Sequence, residues 1–355
     1  MLIYLVMEDA LKGRGSHINP ANRFLDQSFT SRHIEGIDEP FYIKNQTKFY
    51  VETPKNIISR NTSPDIPFEF SINPYQGCEH GCVYCYARNS HEYWGFSAGV
   101  DFETKIIMKP EAPKLLAKLF LSGKWKPAQI SLSGNTDCYQ PVEKKMRITR
   151  NLLKVLAEFR NPVSIITKNV LILRDIDLLT ELASNRLVKV FFSITTLKDE
   201  LRQKMEPRTA AVHKKLDVIS RLAGAGIPTG VMIGPVIPGL NDDEIPSIIR
   251  VAAGKGASNA GINILRLNGA VKDIFREWLE RNFPDRHNKI WNRVADMHGG
   301  DVGDSEWGRR ITGEGRIADA IKFIYKTAKN KYMDNCLWPE YDFSRFRNRG
   351  NLTLF

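Results

Sequence analysis

The sequence predicts an α/β protein built on a partial (β/α)6 barrel of the TIM type, open on one side. From Phe68 onward, short apolar or β-branched runs are each followed by a polar loop and then by a stretch with helical periodicity. Alternation of this kind is typical of parallel sheets with right-handed crossovers. Six such units are too few to close an eight-stranded barrel, so we expect an open one.

The predicted elements alternate along the chain in a regular order. The strands are Phe68–Ile72, Ala128–Ser133, Pro162–Thr167, Leu187–Thr195, Thr229–Pro235 and Gly261–Leu267. The helices are Ala112–Leu121, Val142–Phe159, Asp175–Asn185, Val212–Ala223 and Asp242–Gly254. Parallel barrels collect their functional groups in loops at the carboxyl ends of the strands, so the polar motifs that follow these strands are expected to form one site.

Two flanking regions complete the predicted organisation, which comprises an N-terminal arm (1–67), the barrel core (68–269) and an α-rich C-terminal extension (270–355). The arm is polar and rich in turn-forming residues, so we expect it to pack on the core with little regular structure. Within the arm, a surface turn is favoured over a substrate contact for Arg14 and His17.

The C-terminal extension begins with an amphipathic run from Ile274 to Phe283 and continues through a Gly-rich, charged segment, Gly299–Arg310. A further helix is predicted at Ile317–Tyr332. The last segment, Phe343–Arg349, interleaves aromatic residues with arginines, as single-strand-binding proteins do. A docked tail with solvated arginines is nevertheless the favoured interpretation, because short runs of this kind are common.

Cysteine usage and the chain start predict a cytoplasmic protein that does not enter a membrane. Met1–Val6 is apolar but lacks a basic flank and is too short for a signal peptide or a membrane span. Translation beginning at Met7 is an alternative that would remove this segment. Five cysteines in 355 residues are typical of a reduced intracellular protein rather than of a disulfide framework.

The most informative stretch of the sequence is a short loop that follows the first predicted strand. It sets Cys78, Cys82 and Cys85 in a C-x3-C-x2-C array, with Gly77 and Gly81 giving the backbone the freedom to wrap a cluster. A cubane [4Fe–4S] cluster has four irons, so three cysteine ligands leave one iron open for chemistry. The spacing therefore predicts an iron–sulfur cluster with a vacant coordination position.

A structural zinc site is the alternative for the same cysteines. Zinc would require a fourth ligand, and only His80 and His91 are near in sequence. Zinc knuckles also favour paired C-x2-C motifs over this spacing. A non-catalytic, zinc-dependent nucleic-acid-binding protein therefore remains the rival hypothesis from a different functional class.

At these residues the sequence resembles the radical S-adenosylmethionine (SAM) superfamily, whose hallmark is this cysteine spacing with an aromatic residue, here Tyr84, before the third cysteine. The longer pattern resembles the branch related to spore photoproduct lyase, described as DNA repair photolyase-like. The motifs that carry this resemblance are Ser133–Pro141, Thr167-Lys168, Ser193–Thr196, Met205–Arg208 and Gly230–Asp242. The resemblance also implies the partial barrel.

The resemblance implies an activity and its cofactors. In that superfamily, SAM chelates the open iron of a [4Fe–4S] cluster. One electron then cleaves SAM to methionine and a 5′-deoxyadenosyl radical, which abstracts hydrogen from a substrate. We therefore expect a radical SAM enzyme whose substrate is unidentified, with a nucleic acid favoured and modification of RNA or of a protein as alternatives within the enzyme class.

The resemblance also assigns SAM contacts to seven residues. Tyr84 and Tyr86 are expected to contact the cofactor, Tyr84 against the adenine. Thr136 and Asp137 are expected to hold the methionine end, where a carboxylate can accept hydrogen bonds from the ammonium group. The remaining assignments are Lys168 near the SAM carboxylate, Ser193 on the same group or the ribose, and Arg208 clamping a carboxylate or phosphate unless it pairs with Glu206.

Cys138 is a candidate hydrogen donor that the resemblance supports only in part. Spore photoproduct lyase uses a cysteine to donate hydrogen to its product radical, and the corresponding position here is Gly134. Cys138 lies four residues further on and is a substitute donor, whereas a buried free cysteine acts by default as a small apolar residue. Cys336 is expected to be structural.

The charge balance points to anionic partners. The chain carries a formal net charge of +11, and residues 71–269 hold 27 of its 51 basic residues but only 18 of its 40 acidic residues. A positive core suits a nucleic-acid substrate. It suits equally well the docking of an acidic flavodoxin or ferredoxin as electron donor, and charge alone does not separate the two.

Overall fold

The computed structural model describes residues 13–24, 46–334 and 336–347. The start-site alternatives Met1 and Met7, much of the arm and the end of the arginine-rich tail lie outside the described residues. Among the described helices, none combines the length and the apolar character that a bilayer span requires.

The described residues contain short strands and mostly short helices. The strands are β1 Lys48–Val51, β2 Ile58–Arg60, β3 Phe70–Ile72, β4 Tyr75–Gln76, β5 Lys105–Met108, β6 Ile130–Leu132, β7 Val163–Thr167, β8 Val188–Ser193, β9 Thr229–Val236 and β10 Asn259–Ile264. The α-helices are α1 Val100–Thr104, α2 Ala112–Leu121, α3 Glu143–Met146, α4 Ile148–Glu158, α5 Ile176–Ser184, α6 Asp199–Met205, α7 Val212–Gly224, α8 Ile245–Gly254, α9 Val271–Asn282, α10 His287–Met297 and α11 Gly315–Met333. Helices of the 3-10 type cover Tyr86–Trp94, Val170–Asp175, Asp242–Glu244 and Phe343–Arg345.

The main sheet contains the six predicted strands in parallel. Its order is β10-β9-β8-β7-β6-β3-β2, and each neighbouring pair from β3 to β10 is parallel. The short β2 pairs antiparallel with β3 at one edge, so the sheet is open among the described residues. The predicted partial (β/α)6 architecture is confirmed, and all six strand carboxyl ends lie at the same end of the sheet.

The helices pack apolar faces against this sheet much as the periodicity predicts. Leu116 and Phe120 of α2 are fully buried in the core. The predicted helix Val142–Phe159 is instead two helices, α3 and α4, because Arg147 between them has a left-handed backbone with φ of 55°. Helix α10 was not predicted.

A second, three-stranded sheet with the order β1-β5-β4 was not predicted. Strand β1 shows that the arm contains some regular structure. Strand β4 directly precedes the cysteine loop and pairs antiparallel with β5 through Tyr75 opposite Met108 and Gln76 opposite Ile107. The start of the cysteine loop is therefore held by a ladder that no local pattern indicates.

The C-terminal extension contacts both ends of the main sheet. Its Gly-rich segment runs beside β10, where the Leu267 amide donates to the Val302 carbonyl at 2.9 Å. The final described segment lies at the amino ends of the strands, where Trp338 packs against Phe191 and the Arg347 amide donates to the Phe159 carbonyl at 2.9 Å. The docked tail was therefore the correct interpretation for the described residues of this segment.

Candidate active site

The cysteine loop lies at the carboxyl end of the first parallel strand, β3. Gly77 and Gly81 have φ of 78° and 68°, as the wrapped backbone requires. The Cys78 amide donates to the Phe102 carbonyl at 2.9 Å, and the Val83 amide donates to the Met205 carbonyl at 3.1 Å. The loop is thus fixed from two sides by backbone hydrogen bonds.

The three thiols are shielded from solvent. Cys78 and Cys82 are buried and Cys85 is partly buried. Burial raises the pKa of all three thiols, that of Cys82 to about 12, although Lys168 opposes the shift at Cys82. Free thiols of this kind stay protonated at neutral pH and are poor nucleophiles, whereas a metal can take the place of the protons.

The donor set fits a cluster better than a single ion. No three described His, Cys, Asp or Glu side chains gather around one point as a lone metal ion requires. A cubane spreads its cysteine ligands over different irons, so its thiolates lie further apart. His80 Nε2 lies 3.0 Å from the Asn169 side chain, and His91 packs against Phe102. His80 therefore has one ring nitrogen engaged, whereas both ring nitrogens of His91 lack a hydrogen-bond partner among the described residues.

The N-terminal segment Gly13–Pro20 forms the outer wall of the cysteine loop. A Cβ atom at position 15 would lie 1.7 Å from the Gly81 carbonyl oxygen, so only glycine fits there. The amides of Gly15 and Ser16 donate to the Glu103 carboxylate at 3.1 and 2.8 Å. The surface turn predicted for this segment is therefore wrong, because its backbone packs against the loop and Ser16 is fully buried.

A buried ion pair joins this wall to the loop. The Arg88 guanidinium donates to the Glu103 carboxylate at 2.5 Å, and both side chains are fully buried. Arg88 also donates to the Cys82 carbonyl at 2.9 Å and to the Gly99 carbonyl at 2.9 Å. One guanidinium thus satisfies several backbone acceptors around the second cysteine, which fixes the loop without touching its sulfurs.

A second buried network lies on the opposite side of the loop and is centred on Glu206. One carboxylate oxygen accepts hydrogen bonds from the Tyr84 hydroxyl, from Thr195 Oγ1 at 2.7 Å and from Lys168 Nζ at 3.1 Å. The other accepts from Lys215 Nζ at 2.7 Å. Burial opposes ionisation of Glu206, but the two lysines hold its pKa well below the ordinary value.

This network places two lysines around one carboxylate, so it carries an excess of one positive charge when all three groups are ionised. Lys168 Nζ also donates to the Tyr84 hydroxyl at 2.8 Å. Burial lowers the pKa of Lys215, and Glu206 opposes that shift. The positive charge lies beside Cys82 and suits an anionic group bound next to the cysteine loop.

The loop after β6 is anchored through Asp137 and Thr136. The Asp137 carboxylate accepts hydrogen bonds from Thr167 Oγ1 at 2.8 Å, from the Tyr139 amide at 2.9 Å and from the Lys168 amide at 3.0 Å. The Thr136 hydroxyl donates to the Tyr75 carbonyl. These side chains join the carboxyl ends of neighbouring strands, as predicted for residues at this end of the sheet.

The other expected site residues differ in their exposure and in whether their polar groups already have partners within the protein. Tyr86 is about half exposed, and its hydroxyl donates to the Gly134 carbonyl at 2.6 Å. Ser193 is the last residue of β8, and its hydroxyl has no hydrogen-bond partner among the described residues. Arg208 lies 3.7 Å from the Glu79 carboxylate and does not pair with Glu206.

Cys138 lies in the apolar core, away from solvent. It is fully buried, and burial raises the pKa of its thiol well above the ordinary value. Its amide donates to Ser133 Oγ at 2.8 Å and its carbonyl accepts from Thr149 Oγ1 at 2.5 Å. This environment favours apolar packing. Cys336, expected to be structural, is exposed.

Sequence reasoning missed the residues that hold the site from a distance. Glu206 was considered only as an ion-pair partner for Arg208, not as a group that binds Lys168 and Lys215. Lys215 lies on a helix, where a lysine is most often solvated, and its partner is nine residues away. Arg88 follows the cysteines directly, which was an available signal, whereas only the spatial contact identifies Gly15.

Comparison with known proteins agrees with this geometry. The sequence model described as the Radical SAM superfamily matches residues 72–252. An uncharacterized protein of Mycobacterium tuberculosis is 32% identical over 233 residues, covering 64% of this chain and 68% of that protein. An uncharacterized protein of Methanocaldococcus jannaschii is 31% identical over 230 residues, covering 64% and 81%.

More distant matches include a named phage protein and solved structures. A protein of Pseudomonas phage M6 named radical SAM Nalpha-GlyT isomerase is 24% identical over 220 residues, covering 61% of this chain and 44% of that protein. One mutant structure of spore photoproduct lyase aligns with a TM-score of 0.58 at 14% identity, covering 85% and 86% of the two chains.

Another spore photoproduct lyase structure, with bound AdoMet and dinucleoside spore photoproduct, aligns with a TM-score of 0.55 at 14% identity and covers 84% and 85%. At this identity the likeness shows a shared fold. Proteins of the superfamily use a [4Fe–4S] cluster and SAM, and the three-cysteine loop described above fits both. Because the superfamily model spans half of the sequence, this chain belongs to the radical SAM superfamily.

Proposed function

We propose that this protein reductively cleaves SAM at a [4Fe–4S] cluster held by Cys78, Cys82 and Cys85, and that the resulting 5′-deoxyadenosyl radical abstracts hydrogen from a substrate. The observation that carries the proposal is a largely buried three-cysteine loop at the carboxyl end of the first parallel strand. When bound, the cluster supplies the electron and an open iron for SAM.

The residues around the loop have distinct roles in this proposal. Lys168 directly follows β7 and Ser193 ends the neighbouring β8, and we assign both to the SAM carboxylate, since the Ser193 hydroxyl has no partner among the described residues. Asp137 accepts three hydrogen bonds within the protein and its Oδ2 lies 3.5 Å from His80 Nδ1, and its remaining acceptor capacity is assigned to the SAM ammonium. Tyr86 presents a half-exposed ring toward the cofactor, and Tyr84 positions Lys168 through its hydroxyl.

Two further residues that were expected to contact SAM, Thr136 and Arg208, have other roles in the proposal. The Thr136 hydroxyl is engaged by the Tyr75 carbonyl, so it shapes the loop after β6 rather than binding SAM through its side chain. Arg208 remains partly exposed next to Glu79 and is available to an anionic group at the mouth of the site. Cys138 is too deeply buried to meet a substrate radical without rearrangement, so the proposal does not use it as a hydrogen donor.

A nucleic acid is the substrate class that we propose. The excess of basic residues within 71–269 favours a polyanion. The proposal is further supported by spore photoproduct lyase, a protein of similar fold that was solved with dinucleoside spore photoproduct bound. An acidic flavodoxin or ferredoxin is the proposed electron donor, for the same electrostatic reason.

Anaerobic reconstitution with iron and sulfide tests the cluster and its chemistry together. We expect four irons per chain with matching sulfide, and formation of 5′-deoxyadenosine when SAM and dithionite are added. Changing all three loop cysteines to alanine should abolish both, because no thiolate remains in the loop to bind iron. Cys336→Ala is the matched control, since this cysteine is exposed and lies on the C-terminal segment.

Elemental analysis of the protein as purified separates the two metal hypotheses. A single zinc per chain, disturbed by His80→Gln, would support the non-catalytic alternative. An intact cluster that never yields 5′-deoxyadenosine from SAM would overturn the proposed activity.

A further inference from the structure

An arginine at the carboxyl end of the last parallel strand has no assigned role. Arg266 lies two residues beyond β10 and is partly buried. Its guanidinium carbon lies 5.9 Å from the centre of the Tyr86 ring. It forms no hydrogen bond or ion pair with any residue in the described part of the chain. Tyr86 directly follows the third cluster cysteine, so this cation lies beside the cysteine loop.

The acidic groups near Arg266 are already occupied by other arginines. Arg310 Nε donates to the Asp65 carboxylate at 2.7 Å. Arg309 Nε donates to the Asp304 carboxylate at 2.7 Å. Because Arg266 has no ion pair among the described residues, its guanidinium donors are free to bind an anionic ligand at the mouth of the site.

The backbone on both sides of Arg266 is held in place. The Leu265 amide donates to the Val236 carbonyl and the Leu267 amide to the Val302 carbonyl, each at 2.9 Å. Asn89 Nδ2 donates to the Asn268 carbonyl at 2.6 Å, which ties this segment to the helix that follows the cysteine loop. The guanidinium is therefore presented from a fixed backbone, which lowers the entropic cost of binding.

We propose that Arg266 binds a backbone phosphate of a single-stranded nucleic-acid substrate at the mouth of the active site. A guanidinium matches the geometry of phosphate oxygens and stays charged at all relevant pH values. An exposed aromatic side chain lies on the segment that pairs with the one carrying Arg266. Asn268 Nδ2 donates to the Asp304 carbonyl at 2.9 Å, and Trp307, three residues beyond Asp304, is 65% exposed. Aromatic faces beside a basic group are typical of single-strand binding.

This inference rests on the proposed function, because it assigns the substrate class of the same site. A peptide carboxylate could also pair with a guanidinium. The observations favour phosphate, because the surrounding core carries an excess of basic residues that attracts a polyanion and because the exposed ring of Trp307 can stack on a base.

Fluorescence anisotropy on the cluster-loaded full chain tests the proposal. The probes are a short fluorescein-labelled single-stranded DNA, the matching RNA, and an acidic peptide of similar charge. We expect at least one oligonucleotide to bind more tightly than the peptide. Arg266→Gln should weaken that binding about tenfold and reduce the slope of log affinity against log salt by about 1, because one phosphate contact is lost. Arg266→Lys should restore part of the affinity.

Arg221→Gln is the matched control, because it removes the same charge from an exposed position on α7. It should change the affinity less than twofold. Failure of both oligonucleotides to bind, unchanged binding by Arg266→Gln, or tighter binding of the peptide through Arg266 would each overturn the proposal. Cleavage of SAM by wild-type protein without any oligonucleotide reports separately on the proposed activity, so the two failures are distinguishable.

Discussion

The two ends of the main sheet differ in whether their polar side chains have partners within the protein. At the amino end, Lys189 Nζ lies 4.3 Å from the centre of the Tyr341 ring and 5.5 Å from that of Trp338. The Tyr341 hydroxyl donates to the Val163 carbonyl at 3.2 Å. At the carboxyl end, by contrast, the Ser193 hydroxyl and the Arg266 guanidinium have no hydrogen-bond partner within the described ranges.

The amino end of the sheet is thus closed by contacts within the protein, whereas the carboxyl end is open to a ligand. The C-terminal tail satisfies the amino end with aromatic and cation–π contacts. At the carboxyl end, Glu206 accepts hydrogen bonds from groups on several strands and supports the cysteine loop. Groups at its mouth are left available to ligands. Substitutions at the two ends should therefore have separable effects on stability and on cofactor chemistry.

The largest effect is expected from breaking the network that supports the carboxyl end. Glu206→Gln removes the carboxylate shared by Lys168 and Lys215 and leaves the buried Lys215 ammonium and the partly buried Lys168 ammonium without this counter-ion. We expect the free energy of unfolding to fall by about 3–5 kcal/mol. Urea denaturation followed by circular dichroism under anaerobic conditions measures this change.

Glu314→Gln is the control for the same chemical change at an exposed ion pair. Glu314 contacts Arg309 but is 57% exposed, so its replacement should alter the free energy of unfolding by less than about 1 kcal/mol. Equal losses in the two variants would show that the buried network has no special role in supporting this end of the sheet.

A smaller loss of stability, with a specific loss of iron, is expected from Gly15→Ala. The added Cβ would overlap the Gly81 carbonyl oxygen and would approach Val83, so the N-terminal wall or the cysteine loop must move. We expect the free energy of unfolding to fall by up to about 3 kcal/mol and the iron content after reconstitution to drop. Iron analysis and urea denaturation of the same preparations test both expectations.

Gly224→Ala provides the comparison, because a Cβ at the end of α7 would meet nothing within 4 Å. Alanine is the better helix former, so this variant should retain iron and be no less stable than the wild type. Full iron loading of Gly15→Ala would show that the N-terminal wall does not support the cysteine loop.

The division between what the sequence predicted and what it missed follows the range of the interactions. The six parallel strands, helix α2 and the cysteine loop depend on local periodicity and spacing, and these predictions were correct. Strand β4 is two residues long and pairs with β5 about thirty residues away, which no window of local sequence encodes. The break between α3 and α4 depends on the backbone of the single residue Arg147.

For the candidate site, too, the residues that the sequence predicted lie close together in the chain and those that it missed lie far apart. Cys78, Cys82 and Cys85, the cluster ligands that we propose, form a recognisable motif because all three lie within one short loop. The groups that position this loop come from distant segments. The contact between Tyr84 and Glu206 spans 122 residues, and that between Gly15 and Glu103 spans 88. Such contacts appear only when the fold brings the segments together, so a single sequence did not reveal them.

The smallest predicted effect comes from a substitution at the amino end of the main sheet, and it tests whether the two ends are independent. Trp338→Ala removes the ring that packs on Phe191 at 5.2 Å and the cation–π contact with Lys189. Because Trp338 is only partly buried, we expect the free energy of unfolding to fall by about 2 kcal/mol. SAM cleavage per loaded cluster should stay at the wild-type rate, because this contact lies at the end opposite the cysteine loop.

Leu337→Ala is the neighbouring control, since Leu337 is 89% exposed and its truncation should leave stability within about 0.5 kcal/mol of the wild type. The informative measurement is the ratio of 5′-deoxyadenosine formed to cluster iron in each variant, taken well below the unfolding transition. If that ratio falls in Trp338→Ala while it holds in Leu337→Ala, then the amino end of the sheet influences cofactor chemistry and the two ends are not independent.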